Sequence, residues 1–515
     1  MEKGNNWLTT FKSFSDSRSI TMLLLGFSAG LPILMIFSSL SLWLREAGVE
    51  RSAVTYFSWA ALGYSFKFIW APLIDRLPLP FLTNTLGRRK SWLLFSQTLI
   101  IIAISWMAMV DPATGESALT SMALATVMLG FSSATQDIVI DAYRIESAPT
   151  EWQAILSAAY IAGYRVGMLA SGAGALFIAA YFGTTKDAYQ YEAWRNTYLI
   201  MASLMGVGII TGFLRPEPKI ESKKNHSHST KDYLTFFGLF ILVASVFITV
   251  FYFLATPISA VQEKLNSIVS NKALTSFITG SLRLLVSIIS TILFGFIIGK
   301  TKIANTEMIE ESYIGPVKNF FDRYGFHFAL LLLSLIGLYR ISDIVLGVIS
   351  NVFYQDLGFT KTQIASVVKT LGLIMSLLGG FLGGALTTRF GIYRMLWWGA
   401  ILASTTNILF MVQAKLGANL PFLYLVISAD NLAAGLASAA FVAFLSSLTD
   451  ISFTAVQYAI FSSLMTLIPK IIGGYSGGMV DVLDYSGFFL ATTLMGLPVL
   501  YIIYLCQKTF KLNQK

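Results

Sequence analysis

The sequence predicts an all-α, polytopic membrane protein. Of its 515 residues, 55% are hydrophobic and only 12% are charged, whereas soluble globular chains carry roughly 25% charged residues. The apolar residues also occur in blocks of about twenty, which is the length that a helix needs to cross the hydrocarbon core of a bilayer. We therefore expect lipid rather than water around most of this chain.

Charged or Pro- and Gly-rich breaks separate the apolar blocks into spans. Six blocks precede a polar segment that runs from Arg215 to Lys231 and lie near residues 19–43, 54–75, 91–110, 117–142, 152–182 and 196–214. Two more follow near 234–256 and 280–299, and a last six near 327–355, 363–387, 391–413, 419–447, 454–480 and 486–507. The expected organisation is 14 transmembrane helices: a six-helix bundle over 1–216, a cytoplasmic linker with a two-helix insertion over 217–326, and a six-helix bundle with a cytoplasmic tail over 327–515.

Lys and Arg predict how the chain crosses the membrane. Most cations in the short loops lie on the side of the N-terminal tail, and cytoplasmic loops carry this excess. Both termini are therefore expected in the cytoplasm. The net charge of +9 reflects the same bias rather than a nucleic-acid surface, because the cations form no stripe or tail. The first apolar block is predicted to be a span rather than a removable signal peptide.

Cysteine and histidine are too few for a disulfide framework or a zinc site. The chain has one cysteine, Cys506, and three histidines, His226, His228 and His327. Structural zinc needs four such ligands at close spacing. We expect neither a metal nor another cofactor.

Charged side chains inside the predicted spans are the candidate functional residues. A charge at the bilayer centre costs about 2.5 to 3.5 kcal/mol on insertion scales, so such residues usually face a cavity. Lys67 and Arg165 lie deepest. Around Arg165, the small residues Gly163 and Gly167 predict a ridge for helix packing, and the arginine points roughly 200° away from that ridge.

Acidic and amide residues accompany these cations. In the fourth span Gln136 and Asp137 lie deep, whereas Asp141 and Arg144 are expected to pair near the cytoplasmic end. In the second half, Arg340 and Asp343 begin a polar stripe on one span. Such a stripe is typical of pore lining or of interhelical hydrogen bonding, and its two charges favour the former.

Two further spans contribute polar residues. Lys369 is close enough to a helix start to snorkel, so a pathway role and a snorkelling role stay open. Asp430 and Asn431 form a polar pair in the tenth span of the two bundles. The deep cations outnumber the deep acids, which predicts an anionic or carboxylate-bearing substrate. A buried acid can also carry a coupling proton, because burial raises the pKa of a carboxyl group.

The loop after the second span resembles the signature of the major facilitator superfamily, G-x-x-x-D-R-x-G-R-R/K. Here the chain has A-P-L-I-D-R and, after an insertion, G-R-R-K, so that Asp75, Arg76 and Arg88 fall on family positions. The resemblance implies gating or cytoplasmic ion pairs for these three. In the second half Thr388 replaces the aspartate, a departure from the pattern.

Longer stretches resemble the AmpG muropeptide permease family. They read F-K-F-I-W-A-P-L-I-D-R, S-A-T-Q-D-I-V-I-D-A-Y-R, G-Y-R-V-G-M-L-A-S-G and V-K-T-L-G-L. The resemblance implies proton-driven import of N-acetylglucosaminyl-1,6-anhydro-N-acetylmuramyl peptides across the bacterial inner membrane, for peptidoglycan recycling. Matching positions are Lys67, Gln136, Asp137, Asp141, Arg165, Asp343 and Lys369. The Q-D-I-x-x-D signature is also similar to acetyl-CoA transporter relatives and to some siderophore permeases.

Alternatives to muropeptide transport stay open at this point. The same signatures are compatible with import of a siderophore or another carboxylate-rich solute. A membrane sensor or scaffold is less favoured, because it has no need of costly intramembrane charges. An enzyme is disfavoured because no nucleophile lies at a useful spacing from a base. We expect a monomer in lipid whose partners are an anionic small molecule and protons. Residues 256–269, between the two extra helices, predict an amphipathic helix with Val261, Leu265 and Ile268 on one side.

Overall fold

The computed structural model describes residues 12–49, 57, 64, 66–185, 188–218, 229–268, 272–301, 305–360, 363–473 and 476–513. These residues form helices and turns, with one isolated β-bridge between Thr185 and Ala188. Thirteen helices in the described part are long and apolar enough to cross a membrane. The predicted all-α class is confirmed, and the protein is a multi-pass membrane protein. Ten of the 22 residues of the second predicted span, 54–75, lie outside the described residues, and the span is described continuously from Phe66.

The helices are numbered here in chain order. The N-terminal part contains α1 Ser17–Glu46, a short α2 Ala71–Arg76, α3 Arg88–Ala108, α4 Glu116–Glu146, α5 Thr150–Tyr181 and α6 Tyr191–Leu214. The insertion contains α7 Thr230–Phe253, α8 Ala255–Ile268 and α9 Lys272–Lys300. The C-terminal part contains α10 Phe326–Ser350, α11 Ser366–Phe390, α12 Ile392–Leu416, α13 Leu420–Leu448, α14 Ile451–Gly473 and α15 Ser476–Thr509.

Two compact units divide the chain. One unit contains residues 1–74, 78–221 and 320–515, and therefore both sets of spans that flank the insertion. The other contains residues 75–77 and 222–319. The division follows the sequence, because the second unit holds the insertion between the two sets of spans.

The α1 helix starts at a side-chain cap and packs on α5 through glycines. Asp16 accepts a hydrogen bond from the Arg18 backbone N–H, and a side-chain hydrogen bond from the same arginine lowers the pKa of Asp16. On α5, a Cβ added to Gly163 would lie 1.9 Å from the carbonyl oxygen of Leu23. Gly167 is similarly tight against α1. The two backbones meet as the small-residue ridge predicts.

The insertion forms its own helical unit. Ser229 and Asp232 make a capping box at the start of α7, and the Arg283 Nε of α9 donates to the carbonyl oxygen of Phe251, 2.8 Å away. This bond to the last turn of α7 lets a cation lie within the hydrophobic stretch of α9. Ile248 and Ile292 are 66% and 64% exposed, as expected for lipid-facing helices. The predicted helix between α7 and α9 is present as α8.

Candidate functional site

Gln136 is held by a carbonyl group that a proline leaves free. Pro32 in α1 has no N–H to donate to the carbonyl oxygen of Ser28, one turn earlier. The Gln136 Nε2 of α4 donates to that oxygen instead, 3.2 Å away, and the Gln136 side chain is fully buried. A residue predicted for the substrate pathway thus lies between α1 and α4, a position that supports helix packing.

One turn beyond Gln136, three charged residues lie together. The Lys67 Nζ is 3.6 Å from the Asp141 Oδ2, and both side chains are more than nine-tenths buried. Asp137, on the same face of α4, is within electrostatic reach of both. Its Oδ1 atom is buried and has no hydrogen-bond partner among the described residues. The buried charges are therefore only partly compensated.

Arg144 joins the two halves of the bundle at the end of α4. Its fully buried guanidinium is 3.4 Å from the Asp141 Oδ1. The Nη1 atom donates to the Gln153 Oε1 and the Ser157 Oγ of α5 and, at 2.7 Å, to the Ser446 Oγ of α13. The guanidinium also lies over the Tyr458 ring of α14, 5.1 Å from its centroid.

Those contacts hold the two halves of the bundle together at the end where α4 ends and α5 begins, which we call the closed end. Around the same place, a Cβ on Gly384 of α11 would lie 2.7 Å from the Ala158 Cβ of α5. We call Lys67, Asp137, Asp141 and Arg144 the Arg144 cluster. Its partners Gln153, Ser157, Ser446 and Tyr458 escape sequence reasoning, because each is an ordinary polar residue near a helix end.

A second set of charges lies around the middle of α5. Arg165 is about 22 Å along the helix from Thr150 and roughly as far from Tyr181, at 1.5 Å per residue. It is half-buried, and no ion pair or hydrogen bond joins it to another described residue. Arg340 and Asp343 of the other half are within its electrostatic reach.

Arg340 and Asp343 pair with each other where α10 is broken. The helix ends at Leu338 and restarts at Ile341, with Arg340 at the N-cap. The Arg340 Nη2 and the Asp343 Oδ2 form an ion pair. Broken transmembrane helices direct their free N-terminal amides into binding cavities in many transporters. We call Arg165, Arg340 and Asp343 the Arg165 cluster.

The other predicted pathway residues lie on α11 and α13. Asp430 accepts a hydrogen bond from the Thr406 hydroxyl, 3.3 Å away, and is within electrostatic reach of Asp343. Asn431 donates to the Ile427 carbonyl oxygen of its own helix and lies against Gly372 of α11. Lys369 is exposed.

The arginines at the start of α3 form ion pairs with an acidic residue that no sequence motif indicates. Arg89 makes a two-point ion pair with Glu146, at 2.9 and 2.5 Å, and both side chains are almost fully buried. The predicted residue, Arg88, is 3.8 Å from the same carboxylate. Glu217 accepts from the Arg89 and Lys90 backbone N–H groups and so caps α3.

The remaining predicted loop residues belong to the other unit. Within it, Arg76 pairs with Glu311 at 3.2 Å, and Asp75 is buried. Among the described residues, no group of three or more His, Cys, Asp or Glu side chains could hold a metal ion.

Solved structures share this architecture. The proton:xylose symporter XylE superposes with a TM-score of 0.58 at 13% identity and 96% coverage of both chains. A bacterial homologue of the iron transporter ferroportin, in an outward-facing state, gives a TM-score of 0.60 at 12% identity, with 96% of this chain and 100% of that chain covered. The sequence profile of the Major Facilitator Superfamily matches residues 20–310. Fold and site together define a transporter of the major facilitator class, with 13 helices in the described part that can span a membrane.

Two relatives that align over nearly the whole chain identify the family within this superfamily. The AmpG 4 transporter of Rickettsia conorii is 31% identical over 492 residues, which cover 96% of this chain and 97% of the relative. The anhydromuropeptide permease of Escherichia coli K12 is 27% identical over 499 residues, covering 97% of this chain and 81% of the relative. This chain belongs to the AmpG-type permeases of the major facilitator superfamily. It is a transporter of small molecules and not an enzyme.

Proposed function

We propose that this protein imports anhydro-muropeptides across the bacterial inner membrane by proton symport, and so serves peptidoglycan recycling. We further propose that it works as a monomer with both termini in the cytoplasm. The family supports the substrate, since a relative that spans nearly the whole chain is named an anhydromuropeptide permease. Arg165 and Asp137 within the bundle support the binding of a carboxylate and of a proton, respectively.

The observation that carries this proposal is the lone cation in the middle of α5. Arg165 has no ion pair or hydrogen bond with a described residue, whereas Arg340 is neutralised by Asp343. A guanidinium at this depth is costly unless it faces water or an anionic ligand. Muropeptides carry peptide carboxylates, and a planar guanidinium can bind a carboxylate with two parallel hydrogen bonds.

We assign the coupling proton to Asp137. One of its oxygens is buried without a partner, and its neighbours Lys67 and Asp141 already pair with each other. Addition of a proton to Asp137 changes the charge balance of the Arg144 cluster, which closes one end of the bundle. Proton uptake can thereby bias the opening of that end, as alternating access requires.

Uptake of labelled anhydro-muropeptide into a permease-deleted bacterial strain that expresses this protein tests the proposal. We expect uptake that a protonophore abolishes. Asp137→Asn and Arg165→Ala should each reduce it at least tenfold at equal membrane expression. The matched controls are Asp481→Asn, an exposed acid, and Arg195→Ala, an exposed cation paired with Glu192.

The outcomes separate substrate from coupling. No uptake by a well-inserted wild-type protein would refute the muropeptide assignment. Uptake that resists the protonophore would refute proton symport alone. The earlier alternative, a siderophore or another carboxylate-rich solute, is tested in the same strain with a labelled ferric siderophore; no contact among the described residues favours it.

A further inference from the structure

Two tyrosines of α5, Tyr160 and Tyr164, lie about one and two turns beyond Ser157, the α5 residue that contacts Arg144. Tyr160 and Tyr164 are one helical turn apart, their ring centroids are 6.1 Å apart, and both side chains are half-buried. Each is within electrostatic reach of Asp137. Both rings therefore belong to the space next to the Arg144 cluster.

The hydroxyl groups of Tyr160 and Tyr164 lack the backbone contact that several other tyrosines of the bundle make. Neither is hydrogen-bonded to a described residue. By contrast, Tyr198, Tyr339 and Tyr143 donate to backbone carbonyl oxygens, at 3.2, 3.1 and 3.0 Å. A tyrosine inside a protein normally finds such a partner. The two phenol groups, and the Asp137 oxygen within whose electrostatic reach they lie, are thus polar groups without a hydrogen-bond partner among the described residues.

This set has the chemistry that binds a sugar. The C–H face of a pyranose ring packs on aromatic rings, while its hydroxyl and N-acetyl N–H groups donate to a carboxylate and exchange hydrogen bonds with phenols. A buried acceptor that gains such a donor recovers the free energy lost on its desolvation. Small-molecule sites combine aromatic walls with a few fixed polar groups in this way.

We infer that Tyr160, Tyr164 and the free Asp137 oxygen form a saccharide subsite. It binds the amino-sugar rings of the substrate, and the Arg165 cluster binds the peptide carboxylates. The inference rests on the proposed function, which it deepens by assigning the two chemical parts of the substrate to two parts of the bundle. Arg165 directly follows Tyr164 in the chain, at the same depth of α5 and about 100° around the helix, so two parts of one extended ligand can contact both.

Binding to purified protein, rather than transport, tests this subsite. Three probes are titrated calorimetrically: the intact anhydro-muropeptide, its free stem peptide, and N,N′-diacetylchitobiose, a neutral amino-sugar disaccharide without a carboxylate. Tyr160→Leu and Tyr164→Leu remove the rings, and Tyr164→Phe removes only a hydroxyl. Tyr181→Leu is the matched control, since Tyr181 ends the same helix and is 86% exposed.

We expect each leucine variant to weaken muropeptide binding at least about fivefold, from the aromatic contact it removes. Chitobiose binding should disappear in these variants, while stem-peptide binding stays within twofold of wild type. Tyr164→Phe should give a smaller loss, and Tyr181→Leu none. Stem-peptide binding that is retained also shows that the variants are folded.

Other results would overturn the subsite. Unchanged muropeptide affinity in both leucine variants would do so and leave the proposed function standing. An equal loss of stem-peptide binding would also contradict it, because the rings would then support the whole site. If wild type binds chitobiose through Tyr164 but no muropeptide, the subsite holds and the proposed function fails. If it binds none of the three probes, both fail.

Discussion

The hydrogen bond from Arg144 to Ser446 joins the two halves at the closed end, and Ser446→Ala removes it. A hydrogen bond to a charged group contributes about 1.5 to 3 kcal/mol. The low end applies here, because the same Nη1 atom keeps its contacts to Gln153 and Ser157 on α5. A loss of about 1.5 kcal/mol lowers the ratio of closed to open protein roughly tenfold.

The adjacent serine provides a matched control. Ser447 donates to the Phe444 carbonyl oxygen of its own helix, and Ser446 donates likewise to Val442. Both alanine variants therefore lose one local bond from serine to backbone, but only Ser446→Ala loses the contact across the halves. A difference between the two variants reports that contact alone.

Pulsed electron–electron double resonance measures the distance between two spin labels and so reports directly how far the two halves separate at this end. Spin labels at Glu151→Cys and Ser452→Cys, in a Cys506→Ala background, place two exposed probes on opposite halves at the closed end. We expect a longer-distance population whose ratio to the short-distance one rises about tenfold in Ser446→Ala and stays unchanged in Ser447→Ala. Identical distance distributions in wild type and Ser446→Ala would refute the role of Arg144 in holding this end closed.

Two stability predictions follow from buried contacts. Arg89→Gln leaves the buried Glu146 carboxylate without its two-point partner and should lower the free energy of unfolding by about 3 to 5 kcal/mol. This loss is measured as a lower Tm in detergent. Arg88→Gln removes a more exposed partner 3.8 Å away and should change the free energy of unfolding by less than about 1 kcal/mol. Equal effects would contradict the assignment of the pair. Gly163→Ala should cost at least about 1 to 3 kcal/mol, because its Cβ would lie 1.9 Å from a backbone carbonyl of α1. Gly380→Ala, with no atom within 4 Å of its Cβ, should be neutral or stabilising, and a similar loss in both would argue against close packing of α1 on α5.

The local sequence indicates which charged residues lie within the spans more clearly than it indicates which residues they pair with. The pairing of Asp141 with Arg144 follows from their spacing on one helix, and the structure contains it. The loop signature favours Arg88, yet Arg89 makes the buried two-point pair with Glu146 and Arg88 approaches that carboxylate only to 3.8 Å. Consecutive residues of a helix are turned by about 100°, so the two arginines reach Glu146 from different directions. Gln136 was predicted for the pathway; its actual partner is the carbonyl group that Pro32 leaves free.

The sequence by itself determined the class of this protein. Apolar blocks of about twenty residues must become helices, since hydrocarbon offers no partner to an unsatisfied backbone group, and a few signature stretches indicated the family. Only the tertiary structure decided which charges meet. Arg144 and Ser446 are 302 residues apart in the chain, and the unpaired state of Arg165 depends on every helix around it. Such contacts arise from the packing of two bundles, which no local pattern encodes.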